Sequence, residues 1–203
     1  MVRKGLLSLV GIGLVLLGLV GPIGLALRQQ RETRNFSVVK PGVLFRSAQL
    51  PTSGLRRLQH DYGLKAVVCI RDESPTTEAE RLWCEQNEVR FVRIDGRNWT
   101  GKAGSSPVDG CLRQFLQVVE DPKNHPVLVH CFAGIHRTGG YVAVYRMEVE
   151  GWTVEEALHE LRSRGYDRID AEEDIRGYLE SYRRGCLGGR QAKGAEVQRN
   201  QVR

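Results

Sequence analysis

A cysteine six residues ahead of an arginine is the smallest unit here that could attack an anionic centre and hold its charge. The spacing occurs twice, at Cys84 and Arg90 and at Cys131 and Arg137. With 24 arginines among 203 residues, the spacing alone carries little weight. Context separates the two. Cys84 falls in a helical pattern, Arg90 opens the apolar run after it, and no glycine lies between them. Cys131 instead follows the apolar run Val127-Leu128-Val129 and begins the segment Cys131-Phe132-Ala133-Gly134-Ile135-His136-Arg137-Thr138-Gly139.

That second context has a chemistry. Five residues wrapped between a strand and a helix, Phe132, Ala133, Gly134, Ile135 and His136, can aim backbone N–H groups at one point. The positive end of the following helix adds to them, making an anion cradle. Gly134 permits a close approach or a backbone angle that a side chain hinders. Arg137 can offer a two-pronged guanidinium to two oxygens of one phosphate, which a lysine cannot. The same field favours the Cys131 thiolate, the nucleophilic form of the side chain. Thr138 can hydrogen-bond the sulfur, and His130 suits an organising role in the loop better than a proton-transfer one. The bland alternative is a structural strand–turn–helix connection.

The flanking pattern is that of an α/β unit. Strands are expected at Val43–Phe45, Ala66–Ile70, Phe91–Ile94 and Val127–Val129, all strongly apolar. Helices are expected from Thr52 or Ser53 to Gly63, from Thr76 or Thr77 to Asn87 with Ala79, Leu82 and Trp83 inward, and from Ser106-Pro107 to Asp121. Three more follow, over 138–149, from Val154 after a Thr153 cap, and over 172–183. Alternation of this kind predicts a central, mostly parallel sheet of four or five strands with helices on both faces. Ligands bind such sheets beyond the carboxyl ends of the strands, where Cys131 lies.

The run His130 to Gly139 resembles the His-Cys-x5-Arg-Ser/Thr-Gly signature of the protein tyrosine phosphatase superfamily. Asp121 to Val129 and Phe45-Arg46-Ser47-Ala48-Gln49 are similar to the compact dual-specificity phosphatases, particularly the atypical plant-and-fungal group, over roughly residues 38–182. The resemblance implies a phosphatase that needs no metal or other cofactor and that acts on a phosphorylated substrate, a phosphoprotein or a small phosphomonoester. It also implies an aspartate, on a loop before the signature, that protonates the leaving group. Asp95 is the first candidate and Asp109 the second. The subgroup that acts on inositol pyrophosphates carries lysines where this chain has Phe132 and Ile135, which lowers the expectation of a heavily charged substrate; His136 matches. Arg97, Trp99 and Lys102 either line the pocket or form a solvated loop with the tryptophan packed away. Cys69 is either a core cysteine or a thiol able to protect Cys131 as a disulfide. A phosphate-binding module without turnover, a phosphatase of inositol phosphates or phospholipids, and sulfur or arsenate chemistry at Cys131 are the competing functions.

Composition and charge frame these readings. Hydrophobic residues make up 41% and charged residues 27% of the chain, which excludes a wholly disordered or multi-pass membrane protein. The formal charge of +6 is carried by the ends: +4 over residues 1–34 and +5 over 183–203, against −3 between them. A nucleic-acid-binding body is thereby disfavoured. Residues 5–27 contain no charge, and 23 residues at helical rise span about 34 Å, enough for a bilayer core. The expected organisation is a membrane anchor with its basic flank over 1–34, a catalytic domain over 35–183, and a disordered basic tail over 184–203. A cleaved signal, with Gly24-Leu25-Ala26 as the cut region, and a buried helix are the alternatives for the first segment. Basic residues flank both ends of the span almost equally, while the odd number of cysteines mildly favours a reducing compartment and a cytoplasmic domain.

Overall fold

The computed structural model describes residues 32–188. The expected anchor and most of the expected tail lie outside these residues, and no described helix is long and apolar enough to cross a membrane. Five strands, β1 (Ser37–Lys40), β2 (Leu44–Ala48), β3 (Ala66–Cys69), β4 (Arg90–Arg93) and β5 (Val127–Cys131), form one sheet in the order β1-β2-β5-β3-β4. All neighbours pair in parallel except β1 with β2. Among the described residues six α-helices cover the sheet: α1 (Thr52–Tyr62), α2 (Pro75–Gln86), α3 (Val108–Glu120), α4 (His136–Tyr145), α5 (Val154–Ser163) and α6 (Glu173–Ser181). The expected single helix over 138–149 is α4 continued by a wider π turn over Arg146–Glu150.

The strand pleat sorts the core into two layers. Ala66, Val68, Ile70, Val127, Val129 and Cys131 face the layer built from α3 to α6. Phe45, Val67 and Leu128 face the layer built from α1 and α2. Both central strands are buried on both faces, as their unbroken apolar runs require.

Three local expectations shift. β1 was not foreseen, because it is an edge strand with only Val39 buried; a Pro41-Gly42 turn, with Gly42 at φ +68°, folds it back onto β2. Helix α2 is capped by Ser74 rather than by Thr76 or Thr77, and Thr77 supplies the reciprocal half of the capping box. Its inward stripe is Thr77, Glu80, Trp83 and Cys84, leaving Ala79 and Leu82 exposed. The helix is turned so that a carboxylate meets the sheet, for a reason the site supplies. The packed body also runs past Arg183: Leu187 is buried, and the Gly185 N–H donates to Glu148 Oε2 at 2.8 Å.

The loop after β4 is fastened across α4. Gly96 has no room for a side chain, since a Cβ there would stand 1.6 Å from the Tyr141 hydroxyl. Trp99 is 2% exposed and meets Tyr141 and Tyr178 edge-on, with ring centroids 5.7 and 5.1 Å apart. Its role is packing, not lining a pocket. Trp99→Ala is expected to cost about 3–5 kcal/mol, read as a lowered urea midpoint, whereas Trp99→Phe costs less.

Candidate active site

β5 ends at Cys131 and α4 begins at His136, so the connection is one tight turn. Its tightness depends on Gly134, at φ +71°, where a Cβ would lie 2.3 Å from the Ser47 carbonyl oxygen on β2. No L side chain fits there. The turn brings the Gly134 N–H to 3.3 Å from Cys131 Sγ. Burial is the largest influence on this thiol and opposes its ionisation. The Thr138 hydroxyl and the N–H groups of Thr138, Gly134 and Ala133 together outweigh it and hold the Cys131 pKa below the ordinary thiol value. The Thr138 hydroxyl is buried with no hydrogen-bond partner of normal geometry among the described residues, and its effect falls on the neighbouring sulfur. By contrast, burial pushes the Cys84 thiol up to about 12, which marks the first Cys-x5-Arg pair as an accident of spacing.

Arg137, on the first turn of α4, donates through Nη1 to the Ile70 carbonyl at 3.0 Å. One prong is thus fixed at the end of β3 beside the turn. Around the turn, Asn35 Nδ2 donates to the Ala133 carbonyl at 2.8 Å, and the Gln49 N–H to that of Phe132 at 3.3 Å. Arg46 Nη2 donates to the Gly134 carbonyl at 2.8 Å; burial lowers this guanidinium to about 10. These partners turn the loop's carbonyls outward and its N–H groups inward. His136 stacks on Tyr166, with centroids 4.4 Å apart, and Ile135 is half-buried beside it. Phe132 is 59% exposed at the rim, with the guanidinium carbons of Arg34 and Arg71 5.4 and 5.2 Å from its ring centroid.

His130 points away from all this. It shares the α1–α2 face of the sheet with Cys69, its register partner on β3. Its Nε2 lies 2.9 Å from Glu80 Oε1 on α2, and both residues are almost fully buried. Burial opposes charge on the ring, but Glu80 and the contact with Cys69 prevail, so the imidazole titrates well above its ordinary value. This pair is why α2 turns Glu80 inward. It also settles Cys69: the pleat puts its sulfur on the opposite face of the sheet from Cys131, as a core cysteine and not a disulfide partner.

The two candidate acids part company. Asp109 is 5% exposed and fully engaged in the fold, taking the Tyr178 hydroxyl at 2.7 Å and the Ser106 N–H at 2.9 Å. Asp95 is exposed just past β4 and accepts from Arg97 Nε at 3.0 Å, while Arg97 Nη1 reaches Asp72 at 3.1 Å. In the order β5-β3-β4, Asp95 stands two strands from Cys131, about 10 Å across the sheet edge. Lys102 is exposed. Arg34, Asn35 and Glu80 carried no sequence signal for the site, because only tertiary pairing brings them to it; Arg71, which ends its strand on the expected active-site edge and reads from the sequence as structural or peripheral, stands over the Phe132 ring at the rim.

A model of the tyrosine phosphatase family matches residues 32–193. The chain belongs to the tyrosine phosphatase family. It is 34% identical over 137 residues to the dual specificity protein phosphatase TpbA of Pseudomonas aeruginosa, covering 67% of this chain and 57% of that protein. It is 30% identical over 126 residues to inositol diphosphatase DSP3 of Arabidopsis thaliana, covering 62% of this chain and 60% of that one. It therefore spans somewhat over half the length of these relatives. The crystal structure of TpbA superposes with a TM-score of 0.60 at 29% identity, over 76% of this chain and 88% of that one. TpbA has also been crystallised in complex with pTyr. The catalytic core of the PP-IP phosphatase Siw14 from Saccharomyces cerevisiae shares the fold, with a TM-score of 0.62 at 22% identity over 84% of this chain and 96% of that one.

A lowered thiol pKa moves the thiolate population, and with it the alkylation rate, to lower pH. Iodoacetamide labelling of Cys131 in EDTA is expected to reach half-maximal rate below the ordinary thiol pH, and Gly134→Ala is expected to move that midpoint back up. An unshifted native profile would show that the N–H groups do not outweigh burial.

Proposed function

We propose that this chain hydrolyses phosphomonoesters, as a cysteine-dependent tyrosine/dual-specificity phosphatase. The observation that carries the reading is the convergence of the Ala133, Gly134 and Thr138 N–H groups on a buried Cys131 sulfur, at the start of a helix, with Arg137 alongside. A phosphate bound there meets N–H groups on its non-bridging oxygens, a guanidinium on their flank and the thiolate in line.

In the first step the Cys131 sulfur forms a bond to phosphorus as the ester P–O bond breaks. Its electron pair leaves with the alkoxide or phenoxide, which takes a proton from Asp95. Arg137 and the loop N–H groups hold the three equatorial oxygens, where charge spreads in the transition state. In the second step water attacks phosphorus and the P–S bond breaks, with Thr138 stabilising the departing thiolate. Asp95 now accepts the water's proton and is ready for the next cycle. To serve as acid it must leave Arg97 and carry a proton, a role for which the 95–107 loop, fastened to α4 through Gly96 and Trp99, supplies a stable base. No step uses a metal.

The rim favours a second reading of the substrate. Phe132 and Ile135 bring no charge to the loop, yet Arg34 and Arg71 place two guanidinium groups over the Phe132 ring. A substrate bearing further phosphates beside the scissile one, such as a phosphorylated inositol, would gain from them. Residues 5–27 are read here as a membrane anchor. Arg34 follows that span by seven residues, which would keep the rim close to a bilayer surface.

The test uses the full chain in EDTA, with an aryl phosphate, a phosphotyrosyl peptide and an inositol polyphosphate. Turnover is expected to survive chelation and to vanish in Cys131→Ser. Asp95→Asn is expected to slow esters with poor leaving groups by about 10²–10⁴-fold and those with good leaving groups far less. Arg34→Ala with Arg71→Ala is expected to raise KM for the polyphosphate more than for the aryl ester. Phosphate binding without turnover on any of the three would make the chain a binding module.

A further inference from the structure

The face of the sheet opposite Cys131 carries a cluster that the hydrolysis does not consume. Cys69 Sγ, a Glu80 carboxylate oxygen and a His130 ring nitrogen all lie within 4.8 Å of one another. The three residues are 0%, 2% and 1% exposed. Although Glu80 Oε1 and His130 Nε2 approach to 2.9 Å, neither has an aligned hydrogen bond among the described residues, and both are sealed from solvent. Buried polar atoms without an aligned hydrogen bond are rare and call for an explanation. Here two of them form a close ion pair beside a thiol.

Thiolate, imidazole and carboxylate together are the donor set of zinc, whereas magnesium and calcium take oxygen donors alone. Ligand atoms around a tetrahedral zinc stand about 3.5 Å apart, so small side-chain rotations would close the cluster on an ion. A cavity of about 370 Å³ between the β2–α1 turn and α2 is lined by Gln49, Thr52, Thr76 and Glu80, so it lies against one of the three residues. Gln49 Nε2 already donates to Glu80 Oε2 at 3.4 Å, so its amide or a water from the cavity could take the fourth position.

We propose that Cys69, Glu80 and His130 form a zinc site on the back of the phosphate-binding loop, and that occupying it represses the phosphatase. Binding forms a zinc–sulfur, a zinc–nitrogen and a zinc–oxygen bond and releases to solvent the thiol proton and any proton on the ring nitrogen. It changes no oxidation state. His130 is joined to Cys131 and its Nδ1 lies 3.4 Å from the Cys131 carbonyl. Drawing the ring onto an ion therefore disturbs the residue that starts the turn. The repression rests on the phosphatase reading; the metal site itself does not.

The full chain carrying Cys131→Ser, which lacks the active-site thiolate as a rival ligand, is titrated with Co²⁺ under reducing conditions. One equivalent is expected to give a thiolate-to-cobalt charge-transfer band with tetrahedral d–d bands, all removed by Zn²⁺. Adding Cys69→Ser, which keeps the volume and removes the thiolate, is expected to abolish the charge-transfer band, and Glu80→Gln to weaken binding at least tenfold. No such band, or one that survives Cys69→Ser, would overturn the site. With Cys131 present, Zn²⁺ is expected to inhibit the parent chain at least tenfold more tightly than Cys69→Ser, each measured against its own rate in EDTA. Equal inhibition would place the effect at Cys131 and overturn the repression.

Discussion

A buried sulfur anion is costly, and the site is organised around meeting that cost. Water cannot solvate Cys131 at 4% exposure, so the backbone must. Three N–H groups and a hydroxyl do so, and they converge only because the chain reverses at Gly134 against the wall of β2. Every neighbour that holds the turn acts on its carbonyls: Asn35 on Ala133, Arg46 on Gly134, the Gln49 amide on Phe132. With the carbonyls drawn outward, the N–H groups have nowhere to point but at the anion. A phosphate that replaces water in this cradle meets dipoles already oriented for it, so little reorganisation accompanies reaction.

The pleat of β5 then divides the labour between two consecutive residues. Cys131 faces the α3–α6 layer, while His130 faces the α1–α2 layer and is gripped there by Glu80. Cys131 is thus held from behind through the one strand on which the sheet is centred. The β4 side of the site is fastened differently, by Gly96 and Trp99 packed on α4, which leaves Asp95 and Arg97 exposed and paired with each other at the surface.

The sequence made the loop legible because its chemistry is local. Cysteine, glycine, arginine and threonine at fixed spacing between a strand and a helix need no tertiary information to be read as an anion cradle. The central strands were legible for a related reason, since burial on both faces leaves them uniformly apolar. What escaped is what only packing decides. β1 lacks an apolar signature because one of its faces and one of its edges are open. The stripe on α2 was misassigned because periodicity arguments do not place a glutamate inward, and Glu80 goes inward only to meet His130 from another strand. Asp95 already ranked ahead of Asp109 along the chain, being at a strand end rather than in a helix's first turn; Tyr178, 69 residues from Asp109, is what commits the latter to the fold. Arg34, ahead of the edge strand β1, and Arg71, just past β3, meet at Phe132 across the strand order, a meeting no local pattern encodes.

The central claim is that phosphate passes through a covalent bond to Cys131. Rapid quenching of the full chain during turnover of an aryl phosphate, followed by peptide mass analysis, tests it most directly. The account predicts one phosphoryl group on the peptide that carries Cys131, reaching its steady level in the first turnover and absent from Cys131→Ser. Product formation at an undiminished rate with no phosphorylated cysteine at any quench time would contradict it and assign the attack to water.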